Sequence, residues 1–156
     1  MAQIMSNDNE KYIRECYTLA RRSVKKGNHP FGALLVHDNK VILTAENTVL
    51  TDNDKTRHAE TNLVSRANKE IDPKILEKCT LYTSTEPCIM CCGAIYWSGI
   101  SKVVFGCSAQ ILDKIAGKTI DIDSKYVFSH TVIPVEIEGH ILEAEGKEIH
   151  ESYWKQ

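Results

Sequence analysis

The chain of 156 residues lacks several features that would place it outside the ordinary globular proteins. No apolar run approaches the roughly 20 residues that a membrane-spanning helix needs. Residues 1–8 show no basic segment followed by an apolar stretch, so we expect no signal peptide. Internal repeats, low-complexity tracts and linkers are also missing, which predicts one domain over residues 1–156. The composition, 42% hydrophobic and 26% charged, is typical of a folded, soluble protein.

The chain also has little net charge and no clear disulfide framework. Its formal charge of −2 gives no electrostatic reason to expect a nucleic acid or another polyanion as a partner. Six cysteines could form three disulfides, but two of them belong to a C-x-x-C motif that has a histidine as a candidate partner. Metal binding in a reducing compartment explains this pair better than secretion does. We therefore expect a cytoplasmic protein without a membrane partner.

The pattern of apolar residues predicts alternating helices and strands. Residues 7–26 have apolar side chains at three- and four-residue intervals, which is typical of an amphipathic helix, and Gly27 and Pro30 end it. Residues 31–36 and 41–45 flank a turn sequence, which predicts a β-hairpin. We also expect helices at 58–68, from about residue 87 and at 141–154, and strands at 79–84, 102–106 and 131–137. This order predicts a single sheet covered by helices on both faces.

The most informative feature is an H-x-E motif at residues 58–60 followed by a P-C-x-x-C motif at residues 87–91. Together they supply three good zinc ligands (His58, Cys88 and Cys91) and one carboxylate (Glu60). Three protein ligands leave a tetrahedral zinc with an open fourth position, where a water can bind and lose a proton near neutral pH. A structural zinc site would instead be closed by a fourth cysteine or histidine.

Each motif opens a predicted helix, and this position favours metal binding. His58 and Glu60 diverge by about 200° around an α-helix, so the imidazole can bind the metal while the carboxylate reaches the water and the substrate. Cys88 and Cys91 lie on one side of a first helical turn, where free N–H groups and the helix dipole favour the thiolate. The alternative is a pair of buried cysteines and a surface histidine, which the joint presence of both motifs disfavours.

The chain resembles the cytidine and deoxycytidylate deaminase superfamily, on the nucleobase branch with the bacterial guanine deaminases and the fungal-type cytosine deaminases. H-x-E…P-C-x-x-C is the signature of the zinc deaminases. The similarity covers most of the chain, in the blocks 30–33, 47, 53–54, 58–60, 81–84, 86–88, 91 and 93–97. It implies an α/β fold, a three-layer α/β/α sandwich with a central mixed five-stranded sheet. It also implies one Zn²⁺ per subunit, hydrolysis of an exocyclic amine and a homodimer.

The resemblance also implies roles for individual residues. Glu60 would be the proton shuttle between water, a ring nitrogen and the departing ammonia, with a solvent-exposed helix glutamate as the alternative. Asn47 would read the base through its carboxamide, although asparagine is also common in turns. Phe31 would form an aromatic wall in a Pro-Phe-Gly-Ala block that lets the backbone approach the base. We expect Ala59 to contact the substrate, and Trp97 either to line the pocket or to fill the core.

Two regions depart from the guanine deaminases. After the fourth predicted strand we expect Asp121, or alternatively Asp123, to be an acidic residue that grips the substrate. In the tail, His150, Tyr153 and Trp154 share one helical face. We expect Trp154 to close over the pocket of the same or the neighbouring subunit, with ordinary packing of a terminal helix as the alternative.

The sequence therefore predicts a hydrolytic deaminase of a free nucleobase. We favour guanine or isocytosine, which share the 2-amino-4-oxo pyrimidine pattern, and cytosine is the nearest alternative. A tRNA adenosine deaminase would need a basic surface, whereas residues 136–155 contain six glutamates against two lysines. A zinc-stabilised module without catalysis is disfavoured by the open coordination position and by Glu60.

Overall fold

The structure, a computed structural model, describes residues 6–155. The elements follow one another as α1 (Ser6–Lys25), β1 (Gly32–His37), β2 (Lys40–Glu46), α2 (Ala59–Glu70), α3 (Pro73–Leu76), β3 (Thr80–Thr85), α4 (Ile89–Ser98), β4 (Lys102–Cys107), α5 (Ala109–Ala116), α6 (Ser124–Phe128), β5 (Glu136–Glu138) and α7 (Glu143–Trp154). Residues 1–5, part of the segment in which we expect no signal peptide, lie outside the described residues, as does residue 156.

The five strands form one mixed sheet in the order β2-β1-β3-β4-β5. β1 pairs with β2 and β3 in antiparallel fashion, whereas β4 is parallel to both β3 and β5. The predicted hairpin forms around Asp38 and Asn39, which both have positive φ, as a tight turn between twisted strands requires. The strand predicted at 131–137 is wrong in its bounds: β5 starts only at Glu136, after Pro134, which cannot donate to the ladder.

Helices cover both faces of the sheet, which confirms the predicted three-layer α/β/α sandwich. Alternate residues of a strand point to opposite faces. Ala33 and Leu35 therefore belong to the core beneath α2 and α4, while Leu34 and Val36 belong to the core beneath α1 and α7. Because α2 and α4 lie on the same face, the two helices that carry the zinc-binding motifs are neighbours.

Gly32 sets how closely α1 packs on the sheet. A Cβ atom at this position would lie 2.5 Å from Leu19 Cβ and 2.6 Å from the Cys16 carbonyl oxygen. The expectation that the Pro-Phe-Gly-Ala block lets the backbone approach a base is therefore wrong for this glycine, because α1 fills the space above it. The glycine instead lets the helix contact β1 directly.

The C-terminal helix α7 docks on its own chain. The Tyr17 hydroxyl donates to the carbonyl oxygens of Ile141 and Leu142, at 3.3 and 3.0 Å. A Cβ atom on Gly146 would lie 2.6 Å from that hydroxyl and 2.8 Å from Cys107 Cβ, so only glycine allows this contact between α7, α1 and β4. The start of α7 and the residues before it are therefore packed against α1 and β4 of the same chain.

No helix among residues 6–155 combines the length and the apolar character needed to cross a membrane. All six cysteines are free thiols.

Candidate metal centre

Three side chains from the two motifs converge on one point. His58 Nδ1 lies 3.7 Å from Cys88 Sγ and 3.5 Å from Cys91 Sγ, and the two sulfur atoms are 3.7 Å apart. Within residues 6–155, this is the one group of three or more His, Cys, Asp or Glu residues whose ligand atoms lie close enough to hold a metal ion. The structure thus brings together the three predicted ligands and adds no fourth from residues 6–155.

These separations fit zinc. Zinc bonds of about 2.3 Å to sulfur and about 2.05 Å to nitrogen give, at the tetrahedral angle, about 3.8 Å between two thiolates and about 3.6 Å between a thiolate and an imidazole nitrogen. The observed distances of 3.7, 3.7 and 3.5 Å are therefore three edges of a tetrahedron. The three ligand atoms define one face of it, and the opposite corner is left for water or substrate.

The ligands sit at helix N-termini because of the local backbone. His58 and Cys88 have extended backbone angles and precede the first residues of α2 and α4, while Cys91 lies in the first turn of α4. The unpaired N–H groups and the dipole of α4 favour negative charge there. Hydrogen bonds from Cys91 and His58 lower the pKa of Cys88 to about 4, so its thiol ionises readily. The thiolate is the form that binds zinc.

Glu60 is buried beside this centre. It lies in the first turn of α2 and is only 5% exposed, which excludes the alternative of a solvent-exposed helix glutamate. Burial and the nearby charge of Cys88 raise the pKa of Glu60 to about 7, against the opposing hydrogen bond of Thr83. A carboxyl group that titrates near neutrality can both accept and release a proton.

Asn47 presents a hydrogen-bond donor. Its residue is only 2% exposed, and its Oδ1 accepts from the Val49 N–H at 3.0 Å. Of the two polar atoms of a carboxamide, only the oxygen can accept a hydrogen bond from a backbone N–H, so this bond fixes the orientation of the amide group. Its Nδ2 has no acceptor among the described residues. The Asn47 backbone N–H donates to the Phe31 carbonyl oxygen at 3.1 Å, which joins these two predicted substrate contacts.

Aromatic side chains of α7 close the space next to Phe31. The Phe31 and His150 rings lie 5.4 Å apart, and the Trp154 indole is stacked on His29 with 5.1 Å between centroids. The Tyr153 hydroxyl is 2.8 Å from His29 Nδ1. Burial lowers the pKa of His29, and a charge on His58 lowers it further.

His29 and Thr85, which contact Trp154 and His150 of α7, are residues that the sequence analysis did not single out. Thr85 is the last residue of β3, and its hydroxyl lies 2.8 Å from His150 Nε2. Their positions in the sequence could have indicated them, because His29 directly precedes the Pro-Phe-Gly-Ala block and Thr85 lies just before the P-C-x-x-C motif.

Asp121 is not part of this centre, which corrects the expectation. Its side chain is 82% exposed, pairs with Lys118 at 3.0 Å and faces a separate cleft of 820 Å³ near β4 and β5. Asp123 instead accepts from the backbone N–H of Tyr126 as the N-cap of α6. Glu86 explains the position of Asp121. Its two carboxylate oxygens accept hydrogen bonds from the starts of α5 and α6 and so fix the course of the segment between these helices.

Two further expected contacts differ from the prediction. Trp97 is 85% exposed on the outer side of α4, so within this chain it neither lines the pocket nor fills the core. It could not be placed from sequence because α4 is apolar on all sides. Ala59 is fully buried, and its methyl group packs in the core with Leu63 and Leu35. Only its backbone N–H, unpaired in the first turn of α2, is available to a ligand.

Comparison with known proteins agrees with this geometry. Residues 6–107 match the model of the cytidine and deoxycytidylate deaminase zinc-binding region. The chain belongs to this deaminase family. Zinc is therefore its cofactor, held by the three convergent side chains, and its class is that of the zinc-dependent hydrolases acting on cyclic amidines.

Several family members are similar over much of their length. A probable cytosine deaminase of Schizosaccharomyces pombe is 40% identical over 96% of this chain and 94% of its own. A guanine deaminase of Bacillus subtilis is 43% identical over 63% of each chain. A tRNA-specific adenosine deaminase of Buchnera aphidicola is 38% identical over 70% of this chain and 72% of its own.

Solved structures share the fold. A guanine deaminase from Nitrosomonas europaea superposes with a TM-score of 0.81 at 21% identity, covering 94% of this chain and 85% of its own. The guanine deaminase from Bacillus subtilis has a TM-score of 0.61 at 32% identity, covering 80% of this chain and 82% of its own.

Proposed function

We propose that the protein removes the exocyclic amine from a free nucleobase by hydrolysis, with guanine or isocytosine as the favoured substrate. The observation that carries this proposal is the arrangement of three ligand atoms on one face of a tetrahedron with a buried carboxylate, Glu60, beside them. The chain supplies no fourth ligand within residues 6–155, so the centre fits catalysis better than a purely structural role.

The metal and the residues of the centre have different roles in the proposed reaction. Zinc held by three protein ligands lowers the pKa of a water in its fourth position to about 7. Glu60 would accept a proton from the attacking water and deliver it to the ring nitrogen next to the carbon under attack. It would then accept the proton of the new hydroxyl group on that carbon and pass it to the departing amine. One carboxylate can act as base and then as acid because it stays within hydrogen-bond reach of both groups. Its burial keeps bulk water from competing for that proton.

The polar group that Asn47 offers to the base is a hydrogen-bond donor. It therefore favours a substrate with an acceptor at the matching position. Asn47 Nδ2 would donate to a carbonyl oxygen or an unprotonated ring nitrogen of the substrate. Guanine, isocytosine and cytosine all carry such an oxo group. Phe31 and Trp154 would flank the planar ring. The guanine deaminase relative supports the 2-amino-4-oxo pattern, as does a solved fold relative in complex with 8-azaguanine.

Cytosine is the second candidate substrate. The probable cytosine deaminase of Schizosaccharomyces pombe aligns over 96% of this chain, and so over most of the tail that faces the pocket. The same Asn47 donor and aromatic walls accept a one-ring base as well as a two-ring base.

A panel of bases separates these candidates. Purified protein is incubated with guanine, isocytosine, cytosine and adenine, and loss of the amine is followed by ultraviolet absorbance and ammonia release. We expect turnover of guanine or isocytosine, and much slower turnover by the Glu60→Gln variant. Turnover of cytosine alone would move the assignment to cytosine, and no turnover of any base would overturn the proposal.

We do not propose a nucleic acid partner. Relatives named as tRNA-specific adenosine deaminases exist, but α7 carries four glutamates against a single lysine. This surface would repel a phosphate backbone. A small nucleobase is the partner that the charge distribution favours.

We further propose that the protein is a cytoplasmic homodimer. Helix α4 exposes Trp97 and Ile89, and exposed large apolar side chains of this kind are typical of an interface. Free thiols at all six cysteines fit a reducing compartment. Light scattering after size exclusion should give a dimer for the wild type and a monomer for Trp97→Glu; a monomeric wild type would contradict the dimer.

A further inference from the structure

His150 is a buried polar residue for which the deaminase reaction gives no reason. It is 1% exposed and lies on α7, outside the metal centre. The Trp154 Nε1–H donates to its Nδ1 at 3.1 Å, and its Nε2 lies 2.8 Å from the Thr85 hydroxyl. Because an indole nitrogen can only donate, Nδ1 must be the acceptor, and Nε2 therefore carries the proton and donates to Thr85.

The two partners of His150 belong to different elements of the fold. Thr85 ends β3, three residues before the ligand Cys88. Trp154 ends α7, and its indole is stacked on His29, two residues before Phe31. The imidazole thus bridges the strand that leads to the ligand Cys88 and the aromatic ring that stacks on His29. An apolar residue would fill the same volume but could make neither bond.

We propose that His150 is a positioning residue for base binding, which holds the indole of Trp154 over the substrate pocket by accepting its N–H bond. Thr85 orients the imidazole from the other side. This inference rests on the proposed function above. His150 acts through Trp154 and touches neither the metal ligands nor Glu60, so its loss should weaken binding of the base and leave the chemical step almost unchanged.

Two substitutions separate the two bonds of the imidazole. In His150→Asn the carboxamide oxygen is attached to Cγ, as Nδ1 is, and can still accept from Trp154. In His150→Gln the carboxamide nitrogen reaches the position of Nε2 and can still donate to Thr85, but the acceptor for Trp154 is lost. Both variants keep a polar side chain of similar size, so each is the control for the other.

The first measurement needs no turnover. The chain has two tryptophans, and Trp97→Phe leaves Trp154 as the sole reporter. We measure acrylamide quenching of its fluorescence in that parent and after adding each His150 substitution. Quenching should stay at the parent value in His150→Asn and rise in His150→Gln. Equal quenching in both variants would overturn the proposal, whether or not any base proves to be a substrate.

The second measurement uses the base that the panel identifies. His150→Gln should raise KM about fivefold with kcat within about twofold, while His150→Asn should keep KM within about twofold. A loss in kcat alone, or equal effects of both variants, would contradict a positioning role. If His150→Gln does not fold, His150→Leu, which can make neither bond, replaces it. The KM effects of His150→Leu and Trp154→Phe should not multiply in the double variant, and independent effects would overturn the proposal.

Discussion

His58 Nδ1 lies 3.5 Å from Cys91 Sγ, although 33 residues separate them along the chain. The contact exists because α2 and α4 pack on the same face of the sheet and their N-termini meet beside the end of β3. The residues at the start of each helix supply ligand side chains, and the adjacent strand or turn fixes the backbone of these residues. The fold therefore brings the ligands of the metal centre together, and they can be tested one at a time.

Replacing Cys91 should remove the metal, and replacing its neighbour should not. Cys91 points to His58 and Cys88, whereas Cys92 Sγ contacts the Pro87 carbonyl oxygen at 3.5 Å. We expect Cys91→Ala to bind well under one zinc per chain and Cys92→Ala to retain it, because a three-ligand site loses much of its affinity with one ligand. Elemental analysis of the purified variants measures this. Loss of zinc from both variants alike would argue against the assignment.

Glu60→Gln should abolish most turnover without affecting the metal. An amide cannot carry the proton between water and the base, so we expect kcat to fall by about 10²- to 10⁴-fold. Glu70→Gln, at the other end of α2 and paired with Arg66 on the surface, is the matched control and should keep wild-type activity. Steady-state kinetics and zinc content of both variants check this. A Glu60→Gln enzyme within about threefold of the wild type would exclude the shuttle role.

Much of this fold could be predicted from the sequence because local patterns determine it. The hairpin, α1, α2 and the helix after Pro87 follow from periodicity and turn residues, and the zinc ligands follow from motif spacing. The contacts among Trp154, His150 and Thr85 could not be predicted from the sequence. They depend on how α7 docks through Tyr17 and Gly146, which are more than 120 residues apart in the chain.

The wrong expectations also have physical causes. Asp121 carries the right charge in a suitable segment, but the hydrogen bonds of Glu86 to the starts of α5 and α6 hold that segment in another cleft. Trp97 lies on a helix that is apolar on every side, so periodicity could not separate its inner from its outer face. Gly32 serves helix packing, a role that a local motif does not distinguish from close approach of a ligand.

Gly32→Ala should destabilise the fold strongly. Its methyl group would meet Leu19 and the Cys16 backbone at 2.5 and 2.6 Å, and overpacking of this kind costs about 1–3 kcal/mol or more. Gly27→Ala is the control: its Cβ would meet no atom within 4 Å, and only its positive φ of 94° costs about 1 kcal/mol. Chemical denaturation of both variants measures the free energies of unfolding. A Gly32→Ala protein as stable as Gly27→Ala would contradict the packing argument.

His150 should make stability depend on pH. Burial lowers the pKa of His150 to about 4, whereas the unfolded chain has the ordinary value near 6.5. Between these values the unfolded state binds the proton and the folded state does not, so the free energy of unfolding decreases as pH falls below about 6.5. The full loss, reached near pH 4, is about 3 kcal/mol.

Urea denaturation of the wild type and of His150→Gln between pH 7.5 and 5 isolates this effect, since every other titrating group is common to both proteins. The wild type should lose more stability than the variant as the pH is lowered. Equal losses of the free energy of unfolding in both proteins would show that protonation of His150 is not linked to folding.

X-ray absorption spectroscopy of the purified enzyme at the zinc edge tests the central claim most directly. We predict one zinc per chain with two sulfur ligands at about 2.3 Å, one imidazole nitrogen at about 2.0 Å and one non-protein oxygen. A spectrum with four protein ligands, or a fully active protein without zinc, would contradict the account.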